Sequence, residues 1–326
     1  MFLVNSIVLF CQTCGAILQD YEVNYVTNLT GENAIQFMAL DNMKSSSFLK
    51  GISTSQQLDF ILENEALFHS IEYMEDQKEE VILKRKVKLQ INVLCNKEGD
   101  SSISERDFNI SVLSQANDLF EDMNILFVID SFNFINDDNL YNQFYSYNYD
   151  FLWEEGVCDK YNREDVINIY VVNNSDTSYA FFPGNERKHI LLNSKQCINS
   201  HTFSHELGHY FGLWHTFEVF NGSEYVDGSN CHNCGDRICD TPADRIGLSF
   251  DFENCEYIDN RVDDNGEEYF PMINNIMSYY KSKEYDCRSV FSEGQQKIIL
   301  FNLVKERSEV IKTIEEIKDD EEYKDT

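Results

Sequence analysis

Three of the chain's seven histidines fall within His205-Glu206-Leu207-Gly208-His209-Tyr210-Phe211-Gly212-Leu213-Trp214-His215, and no other stretch dictates so much local structure. At 3.6 residues per turn, His205 and His209 share one helix face, where both imidazoles reach a single ion. Glu206 points about a third of a turn away, so its carboxylate can meet a water at that ion without joining the ligands. Gly212 stands where the helix should end. Lacking a Cβ, it takes the left-handed conformation that swings the chain back and delivers His215. Three neutral imidazoles with one open position form a catalytic zinc site, as opposed to a closed structural one. A bare His-Glu-x-x-His arises by chance on polar helices; the added Gly and third His make this pattern specific.

The surrounding pattern gives this helix a sheet to pack on. Val87 to Leu94 alternates apolar and polar residues as a half-buried strand does. Ser104 to Met123 carries Val112, Leu113, Ala116, Leu119 and Phe120 at helical spacing. Ile125–Ile129, Val166–Val172 and His189–Asn193 read as strands, the second apolar enough to be central. The fold class expected is α+β with an α/β-type N-terminal subdomain: a twisted mixed sheet, an active-site helix, and an irregular, disulfide-linked C-terminal subdomain. With 326 residues, 42% of them hydrophobic, the chain can close a real core.

Composition limits where and with what such a chain works. A net charge of -31 leaves no basic face for nucleic acid or anionic lipid. Met1 to Phe10 is a short apolar stretch followed by small and polar residues, which reads as a secretory signal over 1–19 even without a preceding Lys or Arg. No later run is long enough for a stable membrane span. Removing the signal leaves eight of the ten cysteines, an even set that reads as disulfides and again as export. The basic cluster Lys84-Arg85-Lys86 stands out in so acidic a chain, either as a processing site or as the solvent side of a strand. The first alternative divides the chain into a pro-segment at 20–86, a catalytic domain at 87–308 and an acidic C-terminal tail at 309–326, a zymogen organisation.

The histidine motif, followed downstream by Asn275-Ile276-Met277-Ser278-Tyr279, resembles the metzincin clan of zinc peptidases. The resemblance implies that Met277 forms an apolar floor beneath the zinc ligands and that Tyr279 donates to the tetrahedral oxyanion. Thr216-Phe217, Gly235-Asp236-Arg237-Ile238-Cys239-Asp240-Thr241-Pro242, Asp286-Cys287 and Phe291-Ser292-Glu293-Gly294-Gln295 narrow it to the pappalysin family, over roughly Val87 to Leu303. Ulilysin-like members imply a disulfide between Cys255 and Cys287. They also imply calcium near Asp236, Asp240 and Thr241, whose hard oxygens suit that ion; a capped turn is the other reading of those residues. Finally, they imply that Asp286 lies at the base of the pocket after the scissile bond and selects Arg or Lys.

The reaction expected is hydrolysis of peptide bonds in protein or peptide substrates, with Glu206 as general base and zinc as cofactor. An extended substrate would align along the strand near Ser178 to Phe182. Two competing readings are a secreted zinc-containing binding protein without peptidase activity, for which Glu206 would have no use, and a short-motif aminopeptidase, against which Gly212 and His215 argue. The sequence does not settle the oligomeric state.

Overall fold

The computed structural model describes residues 85–311, apart from 102, 147–148, 199 and 283. The expected signal, all but the last two residues of the pro-segment, and the acidic tail beyond Ile311 lie outside the described residues. Contacts divide the described residues into two units, 85–216 with 246–259 and 272–311, and 217–245 with 260–271.

The first unit is built on a five-stranded sheet in the order β2-β1-β3-β5-β4. Its strands are β1 (Arg85–Cys95), β2 (Ile125–Asn136), β3 (Ile167–Val172), β4 (Tyr179–Ala180) and β5 (His189–Asn193). β1 pairs in parallel with β2 and β3, and β3 with β5; only the outer strand β4 runs antiparallel. The sheet is thus mixed and mostly parallel, as expected. Arg85 and Lys86 of the basic cluster open β1, opposite Ile125 and Leu126.

One expectation for β1 needs correction. The alternating Val87–Leu94 is not a half-buried strand: Gln90 and Asn92 are as enclosed as their apolar neighbours. Central strands of parallel sheets are covered on both faces, and these polar side chains survive there by pairing. Gln90 Nε2 donates to Tyr161 O at 2.6 Å and to Asn168 Oδ1 at 3.3 Å, and Asn133 Nδ2 donates to Asn92 Oδ1 at 3.1 Å. An alternation that signals solvent on one face here marks an internal amide ladder.

The helical stretch after β1 is one run with a change of pitch: α1 (Glu105–Phe108), a π-helical segment at Asn109–Leu113, and α2 (Ser114–Phe120). Ser104 caps it by accepting from the Asp107 N–H. Its apolar face meets β2 and the histidine-bearing helix through aromatic pairs, with Phe120 against Phe127 at 5.0 Å between ring centroids and Phe108 against Phe203 at 5.9 Å. A separate cluster contains Tyr170, Val172, Tyr179, Phe181 and Leu191. The short helices α3 (Asp138–Asn142), α4 (Phe151–Glu154), α5 (Val157–Tyr161) and α6 (Ser194–Cys197) lie between the strands in sequence. They precede α7 (Thr202–Tyr210) and the closing helix α8 (Glu293–Lys305), while a two-stranded ribbon joins β6 (Phe250–Asp251) to β7 (Glu256–Tyr257). No helix of the described residues is long and apolar enough to cross a membrane.

The cysteines depart from the all-disulfide expectation. Cys255 pairs with Cys287, as the family resemblance implies, and Cys231 pairs with Cys239. Cys95, Cys158, Cys197 and Cys234 are buried thiols. Each serves as a small core residue; Cys158, for example, packs its sulfur 3.5 Å from His189 Nδ1, and burial pushes its thiol up to about 12.

Candidate active site

Helix α7 is buried along its whole length, including the two histidines and Glu206. It ends at Tyr210, and Gly212 adopts φ +93°. The Gly212 N–H bonds to His209 O and the Leu213 N–H to Gly208 O, both at 2.9 Å, closing the helix as the chain turns. That turn brings His215 Nε2 to 3.0 Å from His209 Nε2 and 3.2 Å from His205 Nε2. The three ligands expected from the sequence therefore converge on one point.

The opposite ring nitrogens fix which atoms face that point. His205 Nδ1 is 2.7 Å from Ile276 O and His209 Nδ1 is 2.8 Å from Leu213 O. A carbonyl accepts only from a protonated nitrogen, so each Nε2 keeps its lone pair for an ion. Burial, reinforced by neighbouring imidazoles and Arg288, holds His205 well below the ordinary histidine range and lowers His215 as well; burial alone brings His209 to about 4. Neutral imidazoles at close quarters suit a divalent cation, which needs them deprotonated.

Met277 is fully buried, and the Thr216 N–H donates to its carbonyl at 3.2 Å. It packs so closely beneath the ligand-bearing helix that a Cβ on Gly208 would lie 2.3 Å from its sulfur. Gly208→Ala should therefore displace the floor, costing about 1–3 kcal/mol and weakening metal retention. Thermal melting and metal titration check this, and an unchanged value in both would remove the close approach from the account. The Phe291-to-Gln295 segment has its own task here. Gln295 exchanges hydrogen bonds with Asn275 at 2.8 and 3.1 Å, and Asn275 Oδ1 accepts the Met277 N–H at 2.8 Å. Gln295 is itself held in the capping box that starts α8.

Glu206 is buried and its Oε2 has no hydrogen-bond partner. Burial pushes it up to about 8, with Lys281 and Arg288 pulling the other way. Tyr279 lies beside the ligands, its ring centroid 4.7 Å from that of His215 and 5.7 Å from that of His205. Residues 159–300 match the sequence profile of the peptidase family described as pregnancy-associated plasma protein-A. Over these residues the match supports a metallopeptidase of the pappalysin family. No curated protein matches the chain closely enough to count as a relative. The match supports a metallopeptidase that hydrolyses protein substrates and a metal, typically zinc, at the three converging histidines, and the mixed sheet and helices are consistent with a metzincin-like fold.

The site includes one residue that the sequence pattern did not single out. Arg288 is almost fully buried; its Nη1 is 3.4 Å from His205 Nδ1, and its Nε and Nη2 donate to the Asp286 oxygens at 2.9 and 2.8 Å. Asp286 also accepts the His201 N–H at 3.1 Å. No spacing rule marks an arginine next to a disulfide as a neighbour of a metal ligand.

The acidic residues near Gly235 belong to the second unit. Asp236 is buried and accepts from the Ile238 N–H and the Thr241 hydroxyl, while Asp240 is exposed. Two further carboxylates, Glu224 and Asp244, are buried in the same unit and act electrostatically on each other and on Asp236. The approach is close enough that a Cβ on Gly235 would lie 2.5 Å from Glu224 Oε2. The Asp-x-x-x-Asp-Thr spacing points to Asp236 and Thr241 but carries no trace of Glu224, eleven residues upstream of Gly235.

Proposed function

We propose that this pappalysin is a secreted zinc endopeptidase in which Glu206 is the general base. One observation carries the reading: a buried carboxylate with an unpartnered oxygen beside three converging imidazole nitrogens. The imidazole Nε2 set fits Zn2+, which when bound supplies Lewis acidity, lowering the pKa of water and polarising a carbonyl. Glu206 accepts the proton of the attacking water and passes it to the leaving amine. Burial raises its affinity for a proton and neighbouring cations lower it, and a bound divalent ion would add to the lowering, toward a base that can take the proton and give it back. Tyr279, whose ring lies beside those of His205 and His215, would donate its hydroxyl to the oxygen that becomes negative.

Export is supported by the apolar N-terminal stretch and by two disulfides, and removal of residues up to Lys86 is proposed as maturation. Calcium is proposed for the second unit, held by Asp236 and Glu224 with Thr241 and Asp240 alongside. The support is the unpartnered, buried Glu224 Oε2 and the upward push of burial on both carboxyls, each to about 8. A hard cation would offset both.

The deciding test of the peptidase reading is a digest of denatured proteins, with and without a zinc chelator. We expect internal fragments that disappear on chelation and return when Zn2+ is added back. Release of free amino acids alone would make the protein an exopeptidase, and absence of any cleavage would favour a binding role.

A further inference from the structure

The chain that leaves Met277 returns to the first turn of α7, carrying Lys281 with it. Lys281 Nζ donates to Thr202 Oγ1 at 3.0 Å, and Thr202 stands four residues ahead of Glu206, on the same helix face. Lys281 and Asp286 face each other across a narrow turn. Three charged groups therefore gather around the general base: Lys281 and Arg288, which act on Glu206, and Asp286, which acts on Lys281.

Their hydrogen bonds show which charge is still available. Asp286 is taken up from within: Arg288 holds both of its oxygens, and the His201 and Arg288 N–H groups donate to it as well. It cannot meet a basic substrate side chain without giving up a buried ion pair, and breaking such a pair is costly. Lys281 differs. An ammonium carries three donors, and among the described residues its one hydrogen-bond partner is Thr202. The residue is part-buried, so water screens its charge incompletely.

We infer that Lys281 makes this enzyme select an acidic residue immediately after the scissile bond. The inference rests on Glu206 as proton donor to the leaving amine. Such a donor must lie beside the residue that bears the amine, so the groups flanking Glu206 are the ones that read that residue. A substrate Glu or Asp accepts from the spare Lys281 donors; an Arg or Lys meets two cations, and Asp286, the acid on the same turn, is already paired. The specificity is the reverse of the basic preference that Asp286 suggests from the sequence.

The test is a set of peptides that differ only in the residue after the cleaved bond, Glu, Gln or Arg, given to the full chain and to Lys281→Met, Lys281→Glu and Glu206→Gln. The unsubstituted enzyme should cleave the Glu peptide with kcat/KM at least about tenfold above the Arg peptide, the scale of one exposed-to-buried charge contact. Lys281→Met, which keeps the stem, should flatten the ranking mainly through KM, and Lys281→Glu should invert it. Cleavage of the Gln peptide that depends on Glu206, together with preference for Arg or a ranking indifferent to both Lys281 variants, overturns the inference and leaves the peptidase reading standing. Silence of the unsubstituted enzyme on all three peptides overturns the peptidase reading, and the specificity falls with it.

Discussion

Glu206→Gln should cut peptide hydrolysis by about 10²- to 10⁴-fold, the usual contribution of a positioned general base, with metal content unchanged. The substitution keeps shape and volume, and Oε2 has no hydrogen bond to lose. His205 and His209 are oriented by the Ile276 and Leu213 carbonyls and not by Glu206, so the ion has no reason to leave. Tyr279→Phe should also retain metal, with a smaller loss on the order of ten- to a hundredfold, because its ring is 49% exposed and water can replace part of its donation. Elemental analysis beside initial rates separates the cases. Full activity in Glu206→Gln would remove the base from the mechanism, and metal loss in that variant would show that the carboxylate helps hold the ion.

The second large effect concerns the buried carboxyls Asp236 and Glu224. Burial, and behind it repulsion from neighbouring carboxylates, raises both to about 8 in the fold, against roughly 4 in an unfolded chain. The folded state then holds more protons than the unfolded one between those values. Without a cation, stability is full below about pH 4 on this account and falls as pH rises toward 8. Each pK unit is worth about 1.4 kcal/mol, so the melting temperature should fall by on the order of 10 °C across that window. Ca2+ reverses the sign of the argument by favouring the ionised pair, and its stabilising effect should be large at pH 8 and nearly absent at pH 5. Calorimetry of protein dialysed free of calcium, with Zn2+ kept constant, measures this. A melting point that rises with pH in the calcium-free protein would sink the prediction, and an equal calcium effect in Glu224→Gln would exclude Glu224 as a ligand.

The legible parts of the fold were those with short-range periodicity. Apolar runs such as Val166–Val172 and the helix of Ser104–Met123 declare themselves within a few residues, because burial of one face repeats at fixed spacing. The histidine motif is legible for the same reason: two ligands and the base lie on one helix, and Gly212 states where that helix stops. What was not legible depends on residues far apart. The amide ladder of Gln90, Asn92 and Asn133 mimics a solvent-facing strand until the partner strands are known. Asp286 reads as an available acid until Arg288 is seen to hold it. The four buried thiols count toward an even number of cysteines, yet evenness says nothing about whether two sulfurs can meet. The two-residue β4 is too short to show any period.

The bond between His205 and Ile276 spans 71 residues of chain. During synthesis, at about 5–20 residues per second, the whole histidine motif leaves the ribosome several seconds before the segment that orients its first ligand. A nascent or truncated chain thus displays every metal-binding histidine without the carbonyl that aims His205 or the sulfur that floors the site. The orientation of the first histidine therefore belongs to the finished molecule, not to the motif alone.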